Sequence, residues 1–273
     1  MPCVATLDRM PTVLVTGATD GLGRALTERL ASEGATVLAH ARSEERGRET
    51  LTDLIDGPAD VRLVTADLAS LAEVRALADQ VPDRLDILVD NAGIGSSNPP
   101  GGRRESADGH ELRFAVNYLA GFLLTVLLRD RLAAAAPARI VNVASAGQMA
   151  IDFDNVMLER DYTGVRAYCQ SKLAQIMHAF DLAEELEDAG VSANALHPGT
   201  YMPTKMVLAA GSTPATPLEQ GLDDTWRLAA EPGLDGVTGR YFFGVDEARA
   251  DAQAYDADAR RRLRELSMQL VGL

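Results

Sequence analysis

Residues 12–23, TVLVTGATDGLG, place a short apolar run directly before three glycines and the start of a helical pattern. Thr12–Thr16 has the composition of a buried parallel strand. Gly17, Gly21 and Gly23 allow a tight turn and let backbone amides approach a phosphate at the N-terminus of the following helix. A plain strand-to-helix turn can show the same pattern, so the glycines favour a phosphate site without proving one.

The order of strand and helix repeats along the whole chain. Further short apolar runs predict strands at Thr36–His40, Val61–Thr65, Asp86–Val89, Arg139–Ala144, Val191–Leu196 and Arg240–Phe243. Helical periodicity predicts helices at Leu22–Glu33, Glu44–Asp53, Leu71–Gln80, Gly109–Leu132, Ala167–Ala189 and Leu218–Ala230. This alternation predicts an α/β fold: a single doubly wound Rossmann-type domain over residues 1–273, with a seven-stranded parallel sheet and helices on both faces.

Three stretches interrupt this order, at Ser96–Arg104, at residues 147–165 and at residues 201–217. All three follow the carboxyl ends of predicted strands, where open α/β sheets bind ligands, and we expect substrate loops at residues 147–165 and 201–217. Their many apolar residues suggest a mainly apolar substrate, although loops that only cover the core would look similar. The charged stretch 246–273 carries Leu263, Leu266 and Leu270 at helical spacing, which predicts a terminal helix or a docking tail.

The composition argues against several classes of partner. A net charge of −14 repels nucleic acid and anionic membranes, so neither is expected to bind. The apolar run Tyr118–Leu128 has 11 residues, too few to span a bilayer, and Met1–Met10 lacks the apolar segment of a signal peptide. The two cysteines and four histidines show no metal-binding spacing, so no metal site is expected. We therefore expect a cytoplasmic protein.

Lysine is rare in this chain, and one lysine follows a tyrosine by four residues. The sequence has 24 arginines but only Lys172 and Lys205. On the predicted helix, Tyr168 and Lys172 share a face. A nearby ammonium favours the phenolate, so the pKa of Tyr168 is predicted to fall below about 10, as a general acid or base would require. A surface pair that happens to be four residues apart is the alternative.

Several motifs occur together in an order that points to one family. They are TGATDGLG at Thr16–Gly23, Ala66-Asp67-Leu68, Asn91-Ala92-Gly93, Asn117, Ser145, Tyr168 with Lys172, and Pro198-Gly199. With these motifs the chain resembles the short-chain dehydrogenase/reductase family over nearly its whole length. The longer segment between Ser145 and Tyr168 is similar to the retinol-dehydrogenase-like branch.

The resemblance implies four catalytic residues. Ser145 would hydrogen-bond the substrate oxygen, and Tyr168 would transfer the proton. Lys172 would lower the pKa of the tyrosine and hold the nicotinamide ribose. Asn117 would hold a water molecule that links Lys172 to solvent.

The resemblance also implies a set of cofactor-binding residues. Besides Tyr168 and Lys172, it contains Gly17, Thr19, Asp20, Gly21, Leu22, Gly23, Arg42, Asp67, Leu68, Asn91, Ala92, Gly93, Pro198, Gly199 and Thr204. Within this set Asp67 would face the adenine ring, Asn91 would border the adenosine ribose, and Pro198-Gly199 would approach the carboxamide. Thr204 stands one residue later than the usual threonine of the family.

The end of the second predicted strand bears on the choice of cofactor. Ala41 occupies the place where NAD-preferring members carry an aspartate, and Arg42 can pair with a 2′-phosphate. NADP(H) is therefore favoured over NAD(H). A solvated Arg42 is the alternative, and Asp20 replaces a basic residue often found in NADP-dependent members.

Together these features predict an NADP(H)-dependent oxidoreductase that interconverts a carbonyl and an alcohol on a mainly apolar small molecule. The family also implies a homodimer or homotetramer, built on the helices Gly109–Leu132 and Ala167–Ala189. Two rival functions are a catalytically silent cofactor-binding regulatory protein and a relative of sugar-nucleotide epimerases.

Overall fold

The computed structural model describes residues 10–97 and 102–273, and the strands within them form one eight-stranded sheet. The sheet order is β3-β2-β1-β4-β5-β6-β7-β8. The strands are β1 Thr12–Val15, β2 Thr36–Ala41, β3 Val61–Thr65, β4 Ile87–Asp90, β5 Ala138–Val143, β6 Val191–His197, β7 Tyr241–Phe243 and β8 Asp246–Ala248. This is the doubly wound order, in which the chain reverses direction across the sheet between β1 and β4.

The predicted count of seven strands is one too low. The seven predicted strands all form and run parallel, but β8 adds to the edge and pairs antiparallel with β7. Asp246 and Glu247 of β8 are exposed. A three-residue edge strand that carries charges has no apolar signal of its own, so the sequence pattern passes over it.

Helices cover both faces of the sheet. They are α1 Gly21–Ser32, α2 Glu44–Ile55, α3 Leu71–Asp79, α4 Leu112–Phe114, α5 Ala120–Ala133, α6 Gly164–Glu185, α7 Lys205–Ala209, α8 Leu218–Ala230 and α9 Ala257–Leu270. One core contains Leu26 of α1 and Leu228 of α8, and the other contains Leu77 of α3 and Ile176 of α6. Since each face is covered, every strand next to β1 is buried on both sides.

A π-helical turn at Ala115–Leu119 joins α4 and α5 into one helical segment, Leu112–Ala133. By length and composition this segment could cross a bilayer, but 72% of its apolar window is buried inside the protein. The prediction that no run is long enough to span a bilayer was wrong, because it considered only the uninterrupted run Tyr118–Leu128. The burial is what a core helix of an α/β protein shows.

The C-terminal stretch forms a docked helix, so the first of its two predicted alternatives is confirmed. Arg260 on α9 donates to Asp181 at 2.8 Å and to Glu184 at 2.5 Å, both on α6. Tyr118 and Ser267 share a hydrogen bond of 2.8 Å between their hydroxyls. α9 therefore lies on part of the helical face for which an oligomer interface was predicted.

Some features predicted from the sequence lie outside the described residues. These are the N-terminal residues 1–9, for which no signal peptide is predicted, and Cys3 within them.

The Arg260–Asp181 ion pair, which joins α9 to α6, should contribute measurably to the free energy of unfolding. Both side chains are almost buried, at 12% and 11% exposure. Arg260→Ala leaves the Asp181 carboxylate without its partner, so we expect a loss of about 3 kcal/mol in the free energy of unfolding, measured with urea. The neighbouring pair Arg261–Asp258 is exposed, and Arg261→Ala should cost less than about 1 kcal/mol. Equal losses in the two variants would contradict this account.

Candidate active site

The motifs named above converge at the edge of the sheet where β1 and β4 end side by side. Thr16 and Gly17 follow β1, and Asn91 follows β4. The Asn91 side-chain amide donates to the carbonyl oxygen of Thr16 at 2.8 Å and to that of Gly17 at 3.3 Å. The Thr16 hydroxyl accepts the amides of Asn91 and Ala92, each at 2.9 Å. Asn91 and Thr16 therefore fix the two strand ends at the switch point, where such sheets bind ligands.

The glycines after β1 form a tight cradle at the N-terminus of α1. Gly17 and Gly21 have positive φ angles of +69° and +50°. A Cβ at Gly23 would lie 2.3 Å from the Gly17 carbonyl oxygen, so only glycine fits there. The N-cap residue Asp20 makes no side-chain cap hydrogen bond. The first amides of α1 can therefore bind an anion, and the cradle fits a pyrophosphate.

His40 supports this cradle, although no role was predicted for it from the sequence. Its Nδ1 accepts the Gly17 amide at 3.0 Å, and its Nε2 lies 3.0 Å from the Ala66 carbonyl oxygen. These partners require Nε2 to carry the hydrogen, which fixes the neutral tautomer. Burial lowers the pKa of His40 below its ordinary value. A histidine inside an apolar strand gives no sequence signal for this contact.

The residues that follow β2 and β3 lie where the adenosine end of a dinucleotide would be expected. Ala41 ends β2 and is buried, and Arg42 directly after it is exposed. Leu68 is buried, and the Asp67 carboxylate accepts the amide of Ala69 at 2.9 Å. Arg42 is thus free to meet solvent or a ligand, as its sequence position suggested.

Ser145 lies two residues after the end of β5, and its hydroxyl oxygen accepts the Gly147 amide at 3.0 Å. Its backbone carbonyl accepts the Tyr241 hydroxyl at 3.0 Å and the Gln148 side-chain amide at 3.1 Å. Tyr241 therefore helps to position the serine, and its pKa is raised to about 12, mainly by burial. Nothing in the local pattern of β7 marks that tyrosine as part of the site.

Tyr168 faces Ser145, but its ionisation differs from the prediction. Burial raises the pKa of Tyr168; a hydrogen bond with Ser145 opposes that rise. The predicted fall in this pKa is therefore wrong for the structure described here. The reason is the position of Lys172, whose Nζ lies 5.8 Å from the centre of the Tyr168 ring.

The Lys172 ammonium is buried, and two hydrogen-bond acceptors hold it in place. It donates to the Val143 carbonyl oxygen at 2.9 Å and to Gln175 Oε1 at 2.7 Å. A Cβ at Gly93 would lie 3.5 Å from Lys172 Nζ and 3.3 Å from Asn117 Oδ1. Gly93, Asn117 and Lys172 are therefore immediate neighbours.

Asn117 lies in the π-helical turn and is fully buried. Its Oδ1 accepts the Ile94 amide at 2.8 Å. Its Nδ2 donates to the Ile94 carbonyl oxygen at 3.1 Å and to Ser171 Oγ at 2.9 Å. The side chain thus ties the loop after β4 to α6, in a type of turn that often marks functional sites. Its predicted role in holding a water molecule stays a prediction.

The segment after β6 closes over the glycine cradle. Thr204 lies against Gly21, where a Cβ on the glycine would come 2.8 Å from Thr204 Cγ2. Lys205 Nζ lies 3.9 Å from Asp20 Oδ1. A Cβ on Gly95 would come 2.8 Å from Met206 Cγ, so α7 reaches across to the loop after β4. The late position of Thr204 therefore does not keep it away from the cradle.

The remaining predicted residues lie around the same edge. They are Thr19 and Leu22 in the turn and first residues of α1, and Pro198 and Gly199 directly after β6. Within residues 10–97 and 102–273, no group of three or more His, Cys, Asp or Glu side chains is placed to hold a metal ion.

Sequence comparisons show which family the chain belongs to. A family model described as short chain dehydrogenase matches residues 11–214. Retinol dehydrogenase 13 of Mus musculus is 37% identical over 285 residues, covering 96% of this chain and 84% of the relative. The chain belongs to the short-chain dehydrogenase family. Retinol dehydrogenase 14 of Homo sapiens is 35% identical over 297 residues, covering 96% of this chain and 86% of the relative, which places the chain in the retinol-dehydrogenase-like branch.

Solved structures show the same fold. An uncharacterised protein from Mycobacterium paratuberculosis superposes with a TM-score of 0.78 at 29% identity, covering 96% of this chain and 93% of that chain. The RhlG–NADP active-site complex of Pseudomonas aeruginosa gives a TM-score of 0.68 at 28% identity, covering 85% and 94%. The family is one of oxidoreductases that use nicotinamide cofactors, and this short-chain dehydrogenase therefore acts between a carbonyl and an alcohol.

The contact between His40 and the glycine cradle predicts a pH effect on stability. Folded His40 stays neutral because its pKa is lowered, whereas in the unfolded chain it gains a proton as the pH falls below 6.5. Stability from this residue is therefore present above pH 6.5 and is lost on acidification. His40→Leu should cost about 1–3 kcal/mol at neutral pH, because it leaves the Gly17 amide unpaired.

The variant should also lose part of the pH dependence. The difference in unfolding free energy between about pH 7.5 and about pH 5.5 should shrink by up to about 1.4 kcal/mol in His40→Leu. Urea unfolding of both proteins at the two pH values measures this. An unchanged difference would mean that His40 does not stay neutral in the fold.

Proposed function

We propose that the protein is an NADP(H)-dependent oxidoreductase that interconverts a carbonyl and an alcohol on a mainly apolar small molecule. The observation that supports this most is the placement of Ser145, Tyr168, Lys172 and Asn117 beside the glycine cradle, at one edge of the sheet. The nicotinamide, when bound, would supply or accept the hydride. The protein would contribute binding, orientation and a proton.

Tyr168 acts as the general acid in the reductive direction. Burial raises the pKa of Tyr168, so the phenol keeps its proton at neutral pH and can donate it to a substrate oxygen. Ser145 hydrogen-bonds the same oxygen and stabilises the charge that develops on it. In the oxidative direction Tyr168 would first have to lose its proton, and the positive charge of Lys172 would favour the phenolate that forms.

The cofactor would lie along the edge from β3 to β6. Gly17, Gly21, Gly23 and the first amides of α1 would hold the pyrophosphate, and Thr204 would close over it. Lys172 would hold the nicotinamide ribose. Arg42, exposed at the end of β2, would pair with the 2′-phosphate of NADP(H), and this supports NADP(H) over NAD(H).

The loops 147–165 and 201–217 would line the substrate pocket. Met206 packs on Gly95 beside the catalytic edge, while Met149, Tyr201 and Leu208 leave apolar surface exposed. Apolar linings of this kind suit a substrate with few charges. The docked stretch 246–273 would complete a single catalytic domain.

We also retain two further proposals from the sequence, a cytoplasmic location and a homodimer or homotetramer. An interface on α5 and α6 would have to use the surface that α9 leaves open, since Arg264 and Arg260 of α9 already pair with α6. A catalytically silent regulatory protein remains the alternative function, and turnover by the wild-type protein decides between them.

The role of Tyr168 is tested by Tyr168→Phe. The change removes only the hydroxyl, so the fold and NADPH binding should survive while turnover falls by about 10²–10⁴, the usual effect of a positioned general acid. The measurement is NADPH oxidation with a panel of apolar ketones and aldehydes. Tyr255→Phe is the matched control, because the Tyr255 hydroxyl accepts the Ala250 amide and lies outside the proposed machinery. Near-normal turnover in Tyr168→Phe would remove Tyr168 as the proton donor.

The role of Arg42 is tested by titrating variants with both cofactors. A guanidinium–phosphate pair contributes about 1.5–3 kcal/mol, so Arg42→Ala should weaken NADPH binding roughly ten- to a hundred-fold and leave NADH binding nearly unchanged. Arg48→Ala is the control, since Arg48 is an exposed arginine of α2 that pairs with Glu44. Equal losses for NADPH and NADH, or tighter binding of NADH by the wild type, would refute the proposed preference.

A further inference from the structure

A buried carboxylate lies beneath the catalytic lysine. Asp90 is the last residue of β4 and is 6% exposed; Lys172 on α6 is 5% exposed. Gln175 lies between them, because Lys172 Nζ donates to Gln175 Oε1 at 2.7 Å and Gln175 Nε2 donates to Asp90 Oδ2 at 3.4 Å. Neither Asp90 nor Gln175 has a role in the proposed reaction.

The chemistry of Lys172, Gln175 and Asp90 fixes which group donates and which accepts in each hydrogen bond between them. An ammonium can only donate hydrogen bonds, and an ionised carboxylate can only accept them. Gln175 must therefore turn its oxygen to Lys172 and its nitrogen to Asp90. The Gln175 backbone is also held, since its carbonyl oxygen accepts the Asn142 side-chain amide at 3.0 Å.

Among the residues that the structure describes, Asp90 has little else to compensate its charge. Its other polar partner is the neutral Thr16 hydroxyl, which donates to Oδ1 at 3.2 Å. A Cβ on Gly121 would collide with the carboxylate, so α5 packs directly against it. Burial raises the pKa of Asp90 and Lys172 opposes the rise; burial lowers the pKa of Lys172 and Asp90 opposes the fall. Each group thus favours the charged form of the other.

We infer that Asp90, acting through Gln175, is the counter-ion that keeps Lys172 protonated and holds its ammonium at the catalytic edge. Asp90 and Gln175 are positioning residues, since neither touches the proposed reacting atoms. The inference rests on the proposed function, because that function gives Lys172 its catalytic role. The charge on Lys172 can nevertheless be measured without turnover.

Within residues 10–97 and 102–273, few other ionisable groups face this pair. Tyr168 and Cys169 lie on α6 with Lys172, and Tyr241 of β7 interacts with Tyr168. Burial raises the pKa of all three, so each is neutral at pH 7. The groups that face the pair from the π-helical turn, from the residue after β1 and from α5 are the uncharged Asn117, Thr16 and Gly121. Asp90 is therefore the charge that governs Lys172.

The scarcity of lysine makes a direct test possible. In protein labelled with ¹³C-lysine, NMR should show only Lys172 and Lys205, and the Cε shift of each reports whether its amine is charged. Lys205→Arg assigns the signals, and exposed Lys205 serves as an internal reference. Asp90→Asn keeps the shape and removes the charge, so the titration midpoint of Lys172 should fall by about one pH unit, while that of Lys205 stays in place.

Two further variants test the path through Gln175. Gln175→Leu removes the acceptor and should also lower the Lys172 midpoint. Gln175→Glu places a carboxylate against the ammonium and should raise it, and Gln175→Glu combined with Asp90→Asn should restore it towards the wild-type value. Asp181→Asn is the matched control, because it removes another buried carboxylate, the one paired with Arg260, and should leave Lys172 unaffected.

The outcomes separate this inference from the proposed function. An unchanged Lys172 midpoint in folded Asp90→Asn, or an equal shift in Asp181→Asn, overturns the inference even if the wild type is an active reductase. If Asp90→Asn does not fold, an unchanged midpoint in Gln175→Glu overturns it instead. If the wild type turns over no carbonyl but the midpoints shift as expected, the counter-ion stands and the proposed reaction fails. In an active enzyme, the limb of the pH–rate profile that Lys172 sets should move with the NMR midpoint.

Discussion

The hydroxyl of Thr16 holds together the part of the fold on which the site depends. It accepts the amides of Asn91 and Ala92, and it lies within hydrogen-bond distance of Asp90 Oδ1 and the Val89 carbonyl oxygen. These contacts join the ends of β1 and β4, the two strands between which the sheet reverses its order. Buried backbone groups must find partners, and here one side chain serves several of them. The hydrogen bonds of Thr16 therefore help to position the glycine cradle, the loop after β4 and the Asp90 carboxylate near Lys172.

The use of lysine and arginine follows a physical division. The arginines form ion pairs largely at the surface, such as Arg240 with Glu247, where a permanent charge is well solvated. Lys172 is buried, and burial lowers the pKa of its ammonium, whereas a guanidinium stays charged throughout the ordinary pH range. The compact ammonium of Lys172 also fits between Gly93, the Val143 carbonyl and Gln175, where the larger planar guanidinium of an arginine would not. The retained lysine is thus explained by its surroundings as well as by its distance from Tyr168.

The sequence predicted those features that depend on periodicity and spacing. Each of the first seven strands begins and ends within one residue of its predicted bounds, because buried parallel strands are continuous apolar runs. It missed β8 and α7, which are short and exposed, and it could not place the π-helical turn, whose residues look like any apolar helix. It also missed His40 and Tyr241, because each acts on a backbone group brought near only by the sheet order.

The pKa of Tyr168 shows why spacing alone did not predict the electrostatics of the site. A separation of four residues places Tyr168 and Lys172 on one face of α6, but it does not fix where the long lysine side chain points. The ammonium is held by its acceptors, the Val143 carbonyl and Gln175, and its Nζ lies 5.8 Å from the centre of the Tyr168 ring. Desolvation then dominates at Tyr168 and keeps the phenol protonated. The spacing of four residues therefore sets which helix face the two side chains share, whereas the hydrogen-bond acceptors of Lys172 set where its ammonium lies.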